Sequence, residues 1–77
     1  MKVKIVKPDT ILFEGEATLA QLPGTGGLFE IMEKHAPIIA ALQAGTIRLT
    51  TAEGEKRFEI KAGAVKGQKD DILIIAQ

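Results

Sequence analysis

The chain has 77 residues, ten Lys plus Arg, ten Asp plus Glu and a formal net charge of zero, which allows one small domain over residues 1–77. It holds no Cys, Ser, Asn, Trp or Tyr, and a single histidine, His35. Those absences remove disulfides, thiolate sites, the common acyl-transfer nucleophiles and the paired imidazoles of most zinc sites.

Balanced charge argues against a nucleic-acid binder, which carries a basic excess. Phe13, Phe29 and Phe58 are too few for a base-stacking platform. The start, Met1-Lys2-Val3-Lys4, is basic, but no long apolar stretch follows it. The longest apolar run, Ala36 to Leu42, falls far short of a membrane span. The expectation is a soluble chain on the cytoplasmic side, reaching a membrane only through partners.

Turn signals punctuate the chain at near-regular intervals: Lys7-Pro8-Asp9, Gly15, Pro23-Gly24, Lys34-His35, Gly45, Gly54, Gly63 and Lys69-Asp70-Asp71. Such spacing predicts short strands in a sandwich or barrel. No stretch keeps a 3.6-residue apolar period long enough for a helix.

Lys2 to Val6 alternates, with Val3 and Ile5 on one face and Lys2 and Lys4 on the other. Ile11 to Glu14 follows a turn, and Ala17 to Leu22 leads into the loop Pro23-Gly24-Thr25-Gly26-Gly27. Leu28 to Met32 sets Phe29 and Ile31 against Leu28, Glu30 and Met32. Pro37 to Ala44 comes next and ends at Gly45.

Thr46 to Lys61 reads as a hairpin around Ala52-Glu53-Gly54-Glu55. A four-residue loop there pairs Leu49 with Phe58, Ile47 with Ile60 and Arg48 with Glu59. Cross-strand pairs of this kind contribute about 0.2–1 kcal/mol each. Gly63 to Gly67 and then Ile72 to Ala76 close the chain. The last run is apolar at both parities, so either both faces are covered or Leu73 and Ile75 meet another protein. The expected core is Val3, Ile5, Phe13, Phe29, Ile31, Ile47, Leu49, Phe58, Ile60, Ile72 and Ile74.

Few residues offer chemistry. The loop Gly24-Thr25-Gly26-Gly27 lacks the Lys and Ser/Thr of a phosphate cradle and reads as a turn. His35 has no nucleophile to serve and reads as a loop or interface histidine rather than a catalyst. Asp70-Asp71 with Asp9 lacks calcium-loop spacing and reads as solvated. An exposed tip lysine would suit a biotinyl or lipoyl carrier domain, but Gly67-Gln68-Lys69-Asp70 and Glu55-Lys56-Arg57 do not match that context. No catalytic, cofactor-binding or metal-binding residue is expected.

Read end to end, the chain resembles the epsilon subunit of F-type ATP synthases, and more narrowly that subunit's N-terminal β-sandwich. The resemblance rests on ordered landmarks. They are Lys4 to Gly15 with its Phe13-Glu14-Gly15, Leu22 to Gly27, Ile31 to Ile38 around His35-Ala36-Pro37, and Leu42 to Arg48. The close, Ala62 to Val65 and Ile72 to Ala76, fits the family's final hairpin. Glu33 stands where the family usually has Pro, and Leu28 where it often has an acidic residue.

The resemblance implies an all-β fold, a ten-stranded sandwich of two antiparallel sheets, whereas the residues show nine strand candidates. The tenth would then hide between Ile11 and Leu22. It also implies a non-catalytic rotor subunit without cofactor, joining the gamma subunit to the polar loops of the c-ring. The location implied is the cytoplasmic face of the inner membrane, peripheral. The c-ring contact is expected at Leu28, Glu30 and Met32, and the gamma contact at His35, Ala36, Pro37, Ile39 and Ala40. The family's regulatory helical hairpin has no counterpart in these residues, so neither inhibition nor ATP binding of that kind is expected of them. A carrier domain is the alternative reading.

Overall fold

Alternating apolar and polar residues build nine strands in the computed structural model, which describes residues 1–77. They are β1 (Lys2–Lys7), β2 (Thr10–Glu16), β3 (Leu19–Gly24), β4 (Gly27–Met32), β5 (Ile38–Leu42), β6 (Gly45–Thr51), β7 (Gly54–Ile60), β8 (Gly63–Gln68) and β9 (Asp71–Ala76). No tenth strand exists. The stretch expected to hide it holds only β2 and β3, which are separated by Ala17 and Thr18.

The strands form two layers. One runs β2-β1-β9-β8-β5, and the other is β6 and β7 with β3 and β4. A single pairing, Gly24 with Leu42, joins β3 to β5 and stitches the layers into one nearly closed sheet. The layers are not wholly antiparallel, because β1 and β9 run parallel from Lys2↔Asp71 to Val6↔Ile75. That pairing brings the first and last strands together in the middle of one layer, which no local sequence signal encodes.

The core is apolar throughout. Val3, Ile5, Ile31, Ile47, Leu49, Ile60, Ile72 and Ile74 are buried as expected. Met1, Ala17, Ala20, Leu22, Leu42, Val65 and Ala76 join them. The expected Phe13, Phe29 and Phe58 are only half-buried and pack against this cluster. All three sit on boundary strands, β2, β4 and β7, where the sandwich is open on one side. Phe13 and Phe58 meet with ring centroids 5.8 Å apart and tilted by 57°, bridging the two layers where no backbone pairing does. Such a pair contributes about 0.5–1.5 kcal/mol beyond its buried area.

Several turns differ from expectation. Gly15 and Gly63 lie within strands, opposite Val3 and Ala76, and are not turn residues. The loop expected over Pro23 to Gly27 shrinks to Thr25-Gly26, because Gly24 pairs with Gly27.

The β6–β7 hairpin is shifted by two residues from the expected register. Thr51 pairs with Gly54, Leu49 with Lys56, Arg48 with Arg57, Ile47 with Phe58 and Gly45 with Ile60. The turn is therefore Ala52-Glu53, and local chemistry selects it. The Thr51 hydroxyl accepts from the Glu53 amide at 3.1 Å and donates to the Gly54 carbonyl at 2.8 Å. Gly54 takes a φ of 111°, which only glycine adopts cheaply. A two-residue shift keeps every side chain on its own face, so alternation alone could not distinguish the registers.

Candidate interaction surfaces

Because residues paired across a ladder share a face, the registers build a surface on the outside of β2-β1-β9-β8-β5. Ile11 pairs with Val6, Val6 with Ile75, Ile75 with Ala64, and Ala64 with Ala41. The result is an apolar row crossing all five strands, roughly 20 Å long at the usual strand spacing. Ile11 and Ile75 are about half exposed, at 53% and 54%. The next row reads Glu14, Lys4, Leu73, Lys66 and Ile39, and Ile39 is 79% exposed. The third reads Glu16, Lys2, Asp71 and Gln68. Polarity therefore grades across this face from an apolar end to a charged end.

Two local devices place the row. A bulge in the β1–β2 ladder between Ile5 and Val6 turns Ile11 outward beside Val6, while Leu12 packs toward the core. In β9, Ile72, Ile74 and Ala76 fill the interior, so Leu73 and Ile75 must face out. The outer side of the final run is therefore uncovered within this chain, and the reading in which both its faces are covered fails.

The opposite layer carries a second apolar patch. On edge strand β4, Leu28 and Met32 are 69% and 56% exposed, and they pair with Pro23 and Leu19 of β3. Glu30 lies between them and accepts a hydrogen bond from the Gln21 amide at 3.4 Å. Leu28, Glu30 and Met32 thus share one outward face, while Phe29 and Ile31 point inward.

The remaining expected contact residues lie where the chain passes from β4 to β5. Lys34 takes a left-handed φ of 64° and turns the chain back. His35 is half-buried, and Ala36 and Pro37 are exposed. The protonated His35 Nδ1 donates to the Ala36 carbonyl at 3.0 Å, while Nε2 is buried without a partner. Leaving such an atom unpaired costs about 1–3 kcal/mol. Ile39 projects onto the graded outer face, but Ala40 packs against the core. Ala40 therefore cannot share a surface with Ile39, because successive strand residues point to opposite sides.

The sequence reading missed Val6, Ile11, Ala41 and Ala64. Only the non-local β1–β9 pairing and the bulge align them with Ile75, and the two alanines carry no signal of their own. No helix is long and apolar enough to cross a membrane. No group of three or more acidic, His or Cys side chains could hold a metal ion.

Nine strands in two layers with an apolar core define the class of the fold, an all-β sandwich. Comparison with known proteins narrows it. The family described as "ATP synthase, Delta/Epsilon chain, beta-sandwich domain" matches residues 1–77, and the chain belongs to that family. A relative from Chlorobium limicola, named ATP synthase epsilon chain, is 43% identical over 75 residues, 94% of this chain and 85% of the relative. Another of that name, from Chlorobaculum tepidum, is 39% identical over 72 residues, covering 90% of this chain and 82% of the relative. The chain spans 59% of the epsilon chain of Leptospira interrogans, at 32% identity.

Among solved structures, a chain of the Euglena gracilis mitochondrial ATP synthase, in an assembly of OSCP, F1 and c-ring, superposes with a TM-score of 0.88. It is 13% identical, and the match covers 96% of this chain and 48% of that one. A chain from the central stalk and c-ring of the Tetrahymena thermophila enzyme gives 0.81 at 12% identity, covering 99% and 62%. At such identities the likeness establishes the fold.

Family membership makes the chain an epsilon-type subunit domain and not itself an enzyme. The match along the whole chain overturns the carrier-domain alternative.

Proposed function

We propose that this domain is the joint of a rotary ATP synthase, holding the gamma subunit on one layer and the polar loops of the c-ring on the other. The observation that carries the reading is the pair of apolar surfaces on opposite layers. One is the row from Ile11 to Ala41 with Leu73 and Ile39, and the other is Leu28 and Met32 on β4. Two outward faces on one rigid body suit a part that must hold two neighbours at once and pass torque between them.

The gamma contact is assigned to Ile39, Leu73 and Ile75, together with the loop His35-Ala36-Pro37 that leads into β5. Ala40 contributes only packing from beneath. The c-ring contact is assigned to Leu28, Glu30 and Met32. A torque-bearing contact needs a well-packed interface of about 1,000 Å² or more. Coupling is then mechanical: ion-driven rotation of the ring reaches the catalytic head through the locked stalk. The domain sits at the cytoplasmic face of the membrane as a peripheral part of the complex.

Reconstitution with separately purified gamma subunit and c-ring tests both halves. Ile75→Lys should abolish co-purification with gamma and leave ring binding unchanged. Leu28→Lys with Met32→Lys should do the reverse. A wild-type chain that binds neither neighbour overturns the reading.

A further inference from the structure

Gly67 is a buried glycine in the middle of β8 whose backbone does not need glycine. Its φ lies outside the left-handed region, which among the glycines only Gly27 and Gly54 occupy. In an ordinary strand conformation a side chain is normally favoured over none. The reason for its absence is a close approach. A Cβ on Gly67 would lie 3.0 Å from Ile38 Cγ2, 3.1 Å from His35 Cε1 and 3.6 Å from His35 Nδ1. The imidazole thus rests on the bare backbone of β8.

The ring has little polar hold. Nδ1 bonds only to the carbonyl of the next residue, Ala36, and Nε2 is buried without a partner. Ile38 is different: it pairs directly with Gly67 in the β5–β8 ladder and is fixed by strand geometry. Of the two neighbours, His35 is the one free to yield. We infer that Gly67 is a positioning residue: its missing side chain is the seat of the His35 ring, and that seat holds the loop from Glu33 to Pro37 in the shape the gamma subunit reads. The inference rests on the proposed gamma contact and adds the element that presents it. It also explains why an imidazole is kept with one nitrogen unpaired. Close approach to the glycine, not a polar network, fixes the ring.

The chain has one histidine, so its ring protons give unambiguous NMR signals. In the wild type, a nuclear Overhauser effect should join His35 Hε1 to the Gly67 α-protons. Gly67→Val should remove it and move the ring signals toward those of a solvated imidazole, with the sheet signals retained. Gly67→Ala, the milder change, should shift them part of the way. Binding to isolated gamma subunit should fall about tenfold for Gly67→Val and for His35→Ala alike, the size expected for losing an anchor. The double variant should bind no worse than the weaker single one, because both remove the same element.

Absence of the Overhauser effect in the wild type overturns the seat. Gly67→Ala and Gly67→Val chains whose His35 signals do not move, Ile38 having yielded instead, overturn it too. So does Gly67→Val with His35 unseated and gamma affinity unchanged. A wild type that shows the Overhauser effect but does not bind gamma overturns the proposed function and the docking role together, while the packing of His35 on Gly67 stands.

Discussion

The β6–β7 and β8–β9 hairpins are built alike inside and unlike outside. Each buries alternate apolar residues completely or nearly so: Ile47 and Leu49 in the first, Val65, Ile72 and Ile74 in the second. Outside, β6 and β7 carry Arg48, Glu55, Arg57 and Glu59, whereas β8 and β9 carry Ala64, Leu73 and Ile75 beside Lys66. Position in the layer accounts for part of this. β7 ends its layer, and an edge strand studded with charge resists pairing with other chains.

β8 and β9 are central strands whose edges are already occupied, so their outer polarity is free to serve something else. Inner faces are dictated by the fold, and outer faces are not. Glu55 shows how thoroughly the first hairpin is committed to water. The register sets Arg48 against Arg57, and the Glu55 carboxylate pairs with both guanidinium groups, 3.8 Å from Arg48 Nη1. The Thr46 hydroxyl donates to Glu59 in the same way.

The comparison breaks first if the inner faces are unequal. Ile47→Ala and Ile74→Ala should each cost about 2–5 kcal/mol in urea denaturation, since both side chains are fully enclosed. In a 77-residue domain that is enough to populate the unfolded state heavily. A cost below about 1 kcal/mol at either site would mean that hairpin is not part of the common core.

The outer faces should then diverge. Ile75→Lys should change stability by no more than about 0.5 kcal/mol yet weaken gamma binding tenfold or more. Arg57→Gln on the charged hairpin should leave binding unchanged, and calorimetry on the two variants reads the contrast directly.

Closure between β2 and β7 comes next in size. A double-mutant cycle with Phe13→Leu and Phe58→Leu should return a coupling of about 0.5–1.5 kcal/mol. No coupling would mean the aromatic contact does not hold the layers together. The smallest effect belongs to Glu55→Gln, which should cost about 0.2–1 kcal/mol at low salt and less near 1 M salt, where screening shortens to about 3 Å.

Much was legible in the sequence. All nine strands, the facing of β1, β4 and β9, and the exposure of Leu28, Met32 and Ile39 follow from alternation or from family likeness. Period-two patterns are local, and burial acts on them directly. Among what escaped, three features matter most. The phenylalanines on β2, β4 and β7 are only half-buried, because boundary position is a property of strand order and not of the side chain. The β6–β7 register slipped by two residues, because a hydroxyl and a glycine at the turn decide between registers that leave both faces identical. The apolar row through Val6, Ile11, Ala64 and Ala41 was invisible, because alanine is silent and the row exists only once β1 lies against β9.

The first and last strands are separated by almost the whole chain, and their pairing is determined by the packing of both layers together. The length, the balanced charge, the missing nucleophiles and the strand pattern were set by the sequence as written. Which surfaces those strands present, and that they fall on opposite sides of one body, was decided only by the tertiary fold. Faces are made by neighbours, and neighbours in a sheet are chosen by the burial of the other side.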